Sequence, residues 1–206
     1  MKLLFVGPQG SGKGTQAKTI SEKLKIAHLS MGDLLRGTKG DLKKKLEPYL
    51  NAGKLVPNEL TIQIIKERIK EKDCKNGFIL DGFPRNIEQA NEVDKLIKID
   101  KAIEIAISDE TSIKRLKGRW NCKKCSVAYN IVTSPKPKKD RICDNCNIPL
   151  YQRADDIDDK AIKERLEIYH QETEPLLKRY PSIKINGENS IEKVSEDVLK
   201  ALDYKN

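Results

Sequence analysis

Gly7-Pro8-Gln9-Gly10-Ser11-Gly12-Lys13-Gly14-Thr15 is the stretch on which the reading of this chain turns. Before it stands a short apolar run, Lys2 to Val6, which reads as a buried strand. After it, Ala17, Ile20 and Leu24 recur at helical spacing within Lys13 to Leu24. A glycine-rich loop between a strand and a helix lets successive backbone N–H groups converge on an anion, and the helix N-terminus adds partial positive charge. Lys13 stands where it can reach the β- and γ-phosphates of a nucleotide. The bland alternative, a glycine-rich turn with a solvated lysine, leaves the agreement of strand, loop, lysine and helix unexplained.

Outward from the loop, strands and helices alternate. Ala27-His28-Leu29 leads to Ser30, an N-cap for Met31 to Arg36, and lysine-rich helical sequence then runs through Leu42, Leu46 and Leu50 to a stop at Gly53. Pro57 opens a helix with Leu60, Ile64, Ile65 and Ile69 on one face. Further strands are expected at Gly77 to Leu80, Ala102 to Ile107 and Ile183 to Ile185, with helices at Ile87 to Ile97, Glu110 to Arg119 and Ile191 to Leu202. Lys160 to Tyr180 reads as one long helix bent at Pro175. This alternation implies an α/β fold, a mostly parallel sheet with helices on both faces and ligands beyond the carboxyl ends of its strands.

One stretch, Trp120 to Arg153, breaks the pattern, being rich in Cys, Pro, Lys and Asn. It holds Cys122-x2-Cys125 and Cys143-x2-Cys146, separated by seventeen residues, the spacing of a zinc ribbon. Four cysteines would close a tetrahedral shell, so the metal would be structural and would stand in for a core this segment is too short and polar to build. Two disulfides are the alternative; no export signal is visible, and a cytoplasmic setting favours metal. Cys74 has no partner in the pattern.

The 206 residues carry a net charge of +9, which suits polyanions, and no apolar run approaches membrane-spanning length. Nine arginines stand against thirty-one lysines, so an arginine marks a need for a fixed bidentate fork. A zinc-ribbon ATPase acting on nucleic acid is a rival reading, but aromatics make up only 5% of the chain and no aromatic-interleaved basic surface is visible.

The general phosphate-loop motif puts Ser or Thr directly after the lysine, whereas here Gly14 intervenes before Thr15. On that detail the chain resembles the adenylate kinase family, and the resemblance runs its whole length. It includes Ser30-Met31-Gly32-Asp33-Leu34-Leu35-Arg36, Gly53-Lys54-Leu55-Val56, Asp81-Gly82-Phe83-Pro84-Arg85, Gly118-Arg119, Tyr151-Gln152-Arg153-Ala154-Asp155-Asp156 and Arg165.

The resemblance implies reversible phosphoryl transfer from MgATP to AMP. It implies catalytic roles for Lys13, Arg85, Arg119, Arg153 and Arg165. ATP would be held by Gly10, Ser11, Gly12, Lys13, Gly14, Thr15, Arg115, Arg119, Ala128, Tyr129 and Glu188. AMP would meet Met31, Arg36, Lys54, Leu55, Val56, Gly82, Phe83, Pro84, Arg85, Gln89, Arg153 and Arg165, with Gln89 reading the adenine edge. Asp81 would organise Mg²⁺ through water, and zinc would sit on Cys122, Cys125, Cys143 and Cys146. Three parts are expected: a core of residues 1–29, 57–119 and 158–206, a monophosphate-binding segment 30–56, and a zinc-binding lid 120–157. Partners would be ATP and AMP, without nucleic acid or membrane, on a monomer by family default with an oligomer left open. Two departures qualify the acceptor: Met31 stands where the family usually has Thr, and Asn86 is closer to pyrimidine monophosphate kinases. A UMP/CMP or broad-acceptor kinase is therefore the alternative.

Overall fold

A computed structural model describes residues 1–51 and 56–204, without the side chains of Leu50 and Asn51. Gly53, Lys54 and Leu55 lie outside the described residues. The chain runs β1 (Lys2–Val6), α1 (Lys13–Leu24), β2 (Ala27–Ser30), α2 (Met31–Gly37), α3 (Gly40–Asn51), α4 (Asn58–Arg68), β3 (Phe78–Asp81), α5 (Ile87–Leu96), β4 (Lys101–Ala106) and α6 (Asp109–Lys117). It continues through β5 (Arg119–Asn121), β6 (Ala128–Asn130), α7 (Ala154–Ile157), α8 (Asp159–Ile168), β7 (Ser182–Asn186) and α9 (Ile191–Ala201).

Five strands form one parallel sheet in the order β2-β3-β1-β4-β7. Side chains alternate across it. Leu4, Val6, Phe78 and Leu80 join one core with Leu29, Leu46 and Ile65, while Leu3, Phe5, Ile79 and Ile103 join another with Ala17, Ile20 and Val198. Both faces are buried, as the near-continuous apolar runs of these strands require. Phe5 pairs with Asp81 and Ser30 also pairs with Asp81, so the carboxyl ends of β1, β2 and β3 finish level beneath the Gly7–Lys13 loop.

The expected helix from Lys160 to Tyr180 is not continuous. α8 ends at Ile168, a π-helical turn covers Tyr169–Thr173, and a 3₁₀ turn covers Glu174–Lys178. Pro175 has no N–H to donate and its ring clashes with the carbonyl four residues back, so the ladder changes register around it rather than merely bending. His170 in this stretch bridges Glu174 at 2.6 Å and Asp109 at 3.0 Å, tying the turn to the start of α6.

The cysteine-bearing segment is built apart from the sheet. β5 and β6 pair antiparallel, and Asn121 exchanges backbone hydrogen bonds with Tyr151 at 2.8 and 2.9 Å, closing the segment at its base. Its small core is Cys122, Tyr129, Cys143 and Leu150.

Candidate functional site

Gly12 takes a left-handed conformation, φ 87°, as the residue that starts α1, which suits a glycine there. Lys13 follows in the first helical turn, half-buried, with its Nζ donating to Pro8 O at 3.3 Å. Gly14 has a separate reason to be glycine. A Cβ there would stand 3.2 Å from Asp81 Oδ2, so the carboxylate at the end of β3 occupies the space of a side chain after the lysine. Asp81 is itself buried and is met by His28 Nε2 at 3.2 Å.

The loop is gripped from behind by α6. Ser112, fully buried, donates its hydroxyl to Gln9 O at 2.5 Å, and Arg115 Nη1 donates more weakly to Gly10 O and Ser11 O at 3.4 and 3.5 Å. Glu188 accepts from Ser108 N at 3.0 Å and Ser108 Oγ at 2.8 Å, and the backbone N–H bond, followed by the hydroxyl bonds, holds its carboxyl down at about 2.

Electrostatics show which charges share the mouth of the loop. Burial pulls the Lys13 ammonium down to about 8; Asp81 opposes this, while Arg85, Arg119 and Arg165 reinforce it. Arg85 is likewise lowered by burial, with Arg165 and Arg36 adding to the effect, and Arg153 by burial together with Arg119 and Arg36. So Lys13, Arg36, Arg85, Arg119, Arg153 and Arg165 form one mutually repelling cationic group. Acids behind it fix the forks. Arg119 grips Asp156 at 2.8 and 2.7 Å, and Arg165 reaches Asp155 at 2.5 Å and Asp156 at 3.1 Å. Asp156 has no exposed surface, so its pairs with Arg119 and Arg165 are desolvated, and loss of one partner there would cost about 3–5 kcal/mol. Arg36 is held by Asp33 at 2.7 Å, and Arg85 Nε donates to Gly82 O at 2.9 Å. A cavity of about 460 Å³ opens between Arg36 and Arg153, lined also by Asp33, Lys123 and Tyr151.

Other expected site residues have different surroundings. Met31 is 2% exposed and packs in the core with Leu29, Leu35 and Leu46. Val56, Phe83 and Pro84 are buried, and Gly82 has φ 74° in the loop before Arg85. Gln89 is 5% exposed, with Oε1 accepting from Arg85 N at 2.8 Å and Nε2 donating to Asn58 Oδ1 at 2.7 Å. Asn86 caps α5, accepting from Gln89 N. Ala128 and Thr15 are exposed. Tyr129 is buried among the cysteines, its hydroxyl 3.8 Å from Cys143 Sγ and accepting from Asp144 N at 3.0 Å. Lys54 and Leu55 fall outside the described residues.

The four cysteines converge. Their sulfurs lie within 4.8 Å of one another, on twin turns. Cys122 N donates to Val127 O and Cys122 O accepts from Ser126 N; Cys143 N donates to Ile148 O and Cys143 O accepts from Asn147 N. Ser126 and Asn147, each four residues after the first cysteine of its pair, have φ 58° and 53°. Burial works to raise the Cys143 thiol, yet the Asn145 N–H and the neighbouring thiols bring it down, while burial and the other thiols push Cys146 up. None of the five cysteines is disulfide-bonded here, and Cys74 stands apart with Arg68 Nη1 at 3.0 Å. Four soft donors gathered within reach of one ion fit Zn²⁺.

Sequence reading missed His28, Ser112, Asp155 and Asp156 as organisers of this site. Only the acid pair carried a local signal, two carboxylates directly after Arg153-Ala154.

A family model described as adenylate kinase matches residues 5–185. A protein named adenylate kinase from Ruminiclostridium cellulolyticum is 46% identical, across 98% of this chain and 99% of its own. One of the same name from Caldicellulosiruptor bescii is 42% identical across 98% and 99%, and one from Archaeoglobus fulgidus 42% identical across 98% of each. With the loop, the arginines and the cysteine pairs all inside the matched length, the chain belongs to the adenylate kinase family.

Proposed function

We infer that the chain catalyses reversible transfer of a phosphoryl group from MgATP to AMP, giving two ADP. The observation that carries this reading is the convergence of Arg85, Arg119 and Arg165 on Lys13 at the loop. In the transfer, the bond from the γ-phosphorus to its bridging oxygen breaks and one to an AMP phosphate oxygen forms, while negative charge spreads over the moving group. Lys13 follows that charge from the donor side. Arg119, Arg153 and Arg165 neutralise it, and Arg36 and Arg85 hold the AMP phosphate. Backbone N–H groups of Gly10 to Thr15, with Arg115, take the donor phosphates, and Gln89 takes the adenine edge of AMP.

Asp81 would organise Mg²⁺ through its water shell, and the ion would supply charge neutralisation at the donor phosphates. The position of Asp81 against Gly14 fits that role, leaving its carboxylate facing the loop. Cys122, Cys125, Cys143 and Cys146 would hold zinc, which supplies structural closure of the segment and no chemistry. Residues 120–157 act as a lid that excludes water, 30–56 bind the monophosphate, and the remainder is the core. The partners proposed are ATP and AMP, with neither nucleic acid nor membrane, on a monomer by family default with an oligomer left open. No helix among the described residues is long and apolar enough to cross a membrane.

The test is a steady-state panel of AMP, GMP, CMP and UMP with MgATP, repeated with DNA and RNA in place of the monophosphate. AMP is expected to give the highest kcat/KM, and nucleic acid no turnover. A preference for CMP or UMP would move the chain to the alternative acceptor class that Asn86 suggests and leave the phosphate chemistry in place.

A further inference from the structure

Three side-chain amides meet where α4 and α5 adjoin: Asn58, Asn86 and Gln89. An amide is a donor at one end and an acceptor at the other, with nearly the same shape at both. Which end points where is decided by neighbours that cannot change sign. Three such neighbours act here. The Arg85 backbone N–H donates to Gln89 Oε1 at 2.8 Å, the Gln89 backbone N–H donates to Asn86 Oδ1 at 2.9 Å, and the Glu88 carboxylate accepts from Asn58 Nδ2. Asn58 therefore turns its oxygen toward its two amide neighbours, accepting from Gln89 Nε2 at 2.7 Å and Asn86 Nδ2 at 3.2 Å. Every polarity in the network agrees. Reversing Gln89 would set oxygen against oxygen at Asn58 and N–H against N–H at Arg85.

We propose that Asn58 is a positioning residue that locks the donor–acceptor polarity of Gln89 and so selects an adenine acceptor over a 6-oxopurine one. The proposal rests on the reading of Gln89 as the residue that meets the acceptor base. Adenine presents the acceptor N1 beside the donor amino group on C6, whereas a 6-oxopurine presents N1–H beside an acceptor oxygen, the reverse order. Gln89 has two N–H groups and two lone pairs, and one of each is committed to Asn58 and Arg85. The second Nε2 N–H donates only weakly, to Thr61 Oγ1 at 3.5 Å, a contact that a base edge would displace. One donor and one acceptor thus remain in an order that fits adenine. A 6-oxopurine fits only after the reversal that Asn58 opposes.

Inosine monophosphate separates this effect from size, since it differs from AMP only in these atoms. The experiment measures kcat/KM for AMP and for IMP with MgATP in wild type, Asn58→Ala, Gln89→Ala and the pair Asn58→Asp with Glu88→Gln. Both acceptors are assayed on one preparation, so the ratio is indifferent to the fraction folded. Removing the acceptor at position 58 takes away one of the two partners that oppose the turn, leaving only the Arg85 N–H, and the AMP:IMP ratio is expected to fall about tenfold, the worth of roughly one hydrogen bond. The paired variant keeps an acceptor at 58 and a donor at 88, and is expected to return the ratio to near wild type. A purely structural role for Asn58 would lower both kcat/KM values together. An unchanged ratio in Asn58→Ala, with the ratio reduced in Gln89→Ala, overturns the proposal and leaves the reading of Gln89 standing. An unchanged ratio in Gln89→Ala overturns that reading, and the proposal with it.

Discussion

At Lys13 two demands oppose each other. Its charge is wanted for a polyphosphate, yet burial and three guanidiniums hold its ammonium down at about 8, against an ordinary value of 10.5. A lysine whose folded pKa is depressed is disfavoured in its charged form. Between pH 8 and 10.5 the unfolded chain binds the extra proton, so this residue makes stability rise with pH across that window. Donor binding needs the opposite state. On this account kcat/KM for ATP falls as pH rises through about 8, because that parameter reports the free enzyme. Lys13→Ala is expected to abolish that titration and to cost about 3–4 kcal/mol of transition-state stabilisation, as loss of a preorganised electrostatic donor does. Its melting temperature should hold or rise, since one charge leaves a repelling cluster. Near-wild-type turnover in this variant would remove Lys13 from the chemistry.

Among the elements, the twin cysteine turns and α6 show what a sequence makes legible and what it does not. The cysteine pairs and the loop before α1 are local patterns: a few residues at fixed spacing carry the whole geometry, and their shape follows from those residues. The sheet strands are equally legible, because burial on both faces demands short apolar runs. Contacts such as Ser112 to Gln9, 103 residues apart, or His28 to Asp81, 53 apart, leave no mark on either partner's neighbourhood. The break after α8 was half-legible: Pro175 announced a disturbance, but whether the helix bends or changes register depends on its packing. Tyr129, a position the resemblance assigns to ATP, packs in the small core around Cys143. That core is too small to stand alone, so metal should dominate the segment's stability. Protein purified without added zinc is expected to contain one zinc per chain. Cys143→Ser should release hydrogen-exchange protection across 120–153 at a temperature where β1, β3 and β4 stay protected. Loss of protection in all of them together would mean that the segment and the core are not separately stabilised.

Across the whole molecule, the arrangement answers one electrostatic question. A chain of net charge +9 gathers its buried cations at the carboxyl ends of a parallel sheet and backs them with only a few desolvated acids, Asp81 and Asp156 foremost. On the proposed site, phosphates of two nucleotides would complete the balance, leaving it short of negative charge until both are present. The same deficit disfavours water as the acceptor, because the AMP phosphate supplies charge that water cannot. The direct test follows the phosphorus. With MgATP and AMP together, ³¹P NMR should show two ADP appearing for each AMP consumed, approach to the same mixture from ADP alone, and no inorganic phosphate. Release of inorganic phosphate at a rate independent of AMP would contradict the account.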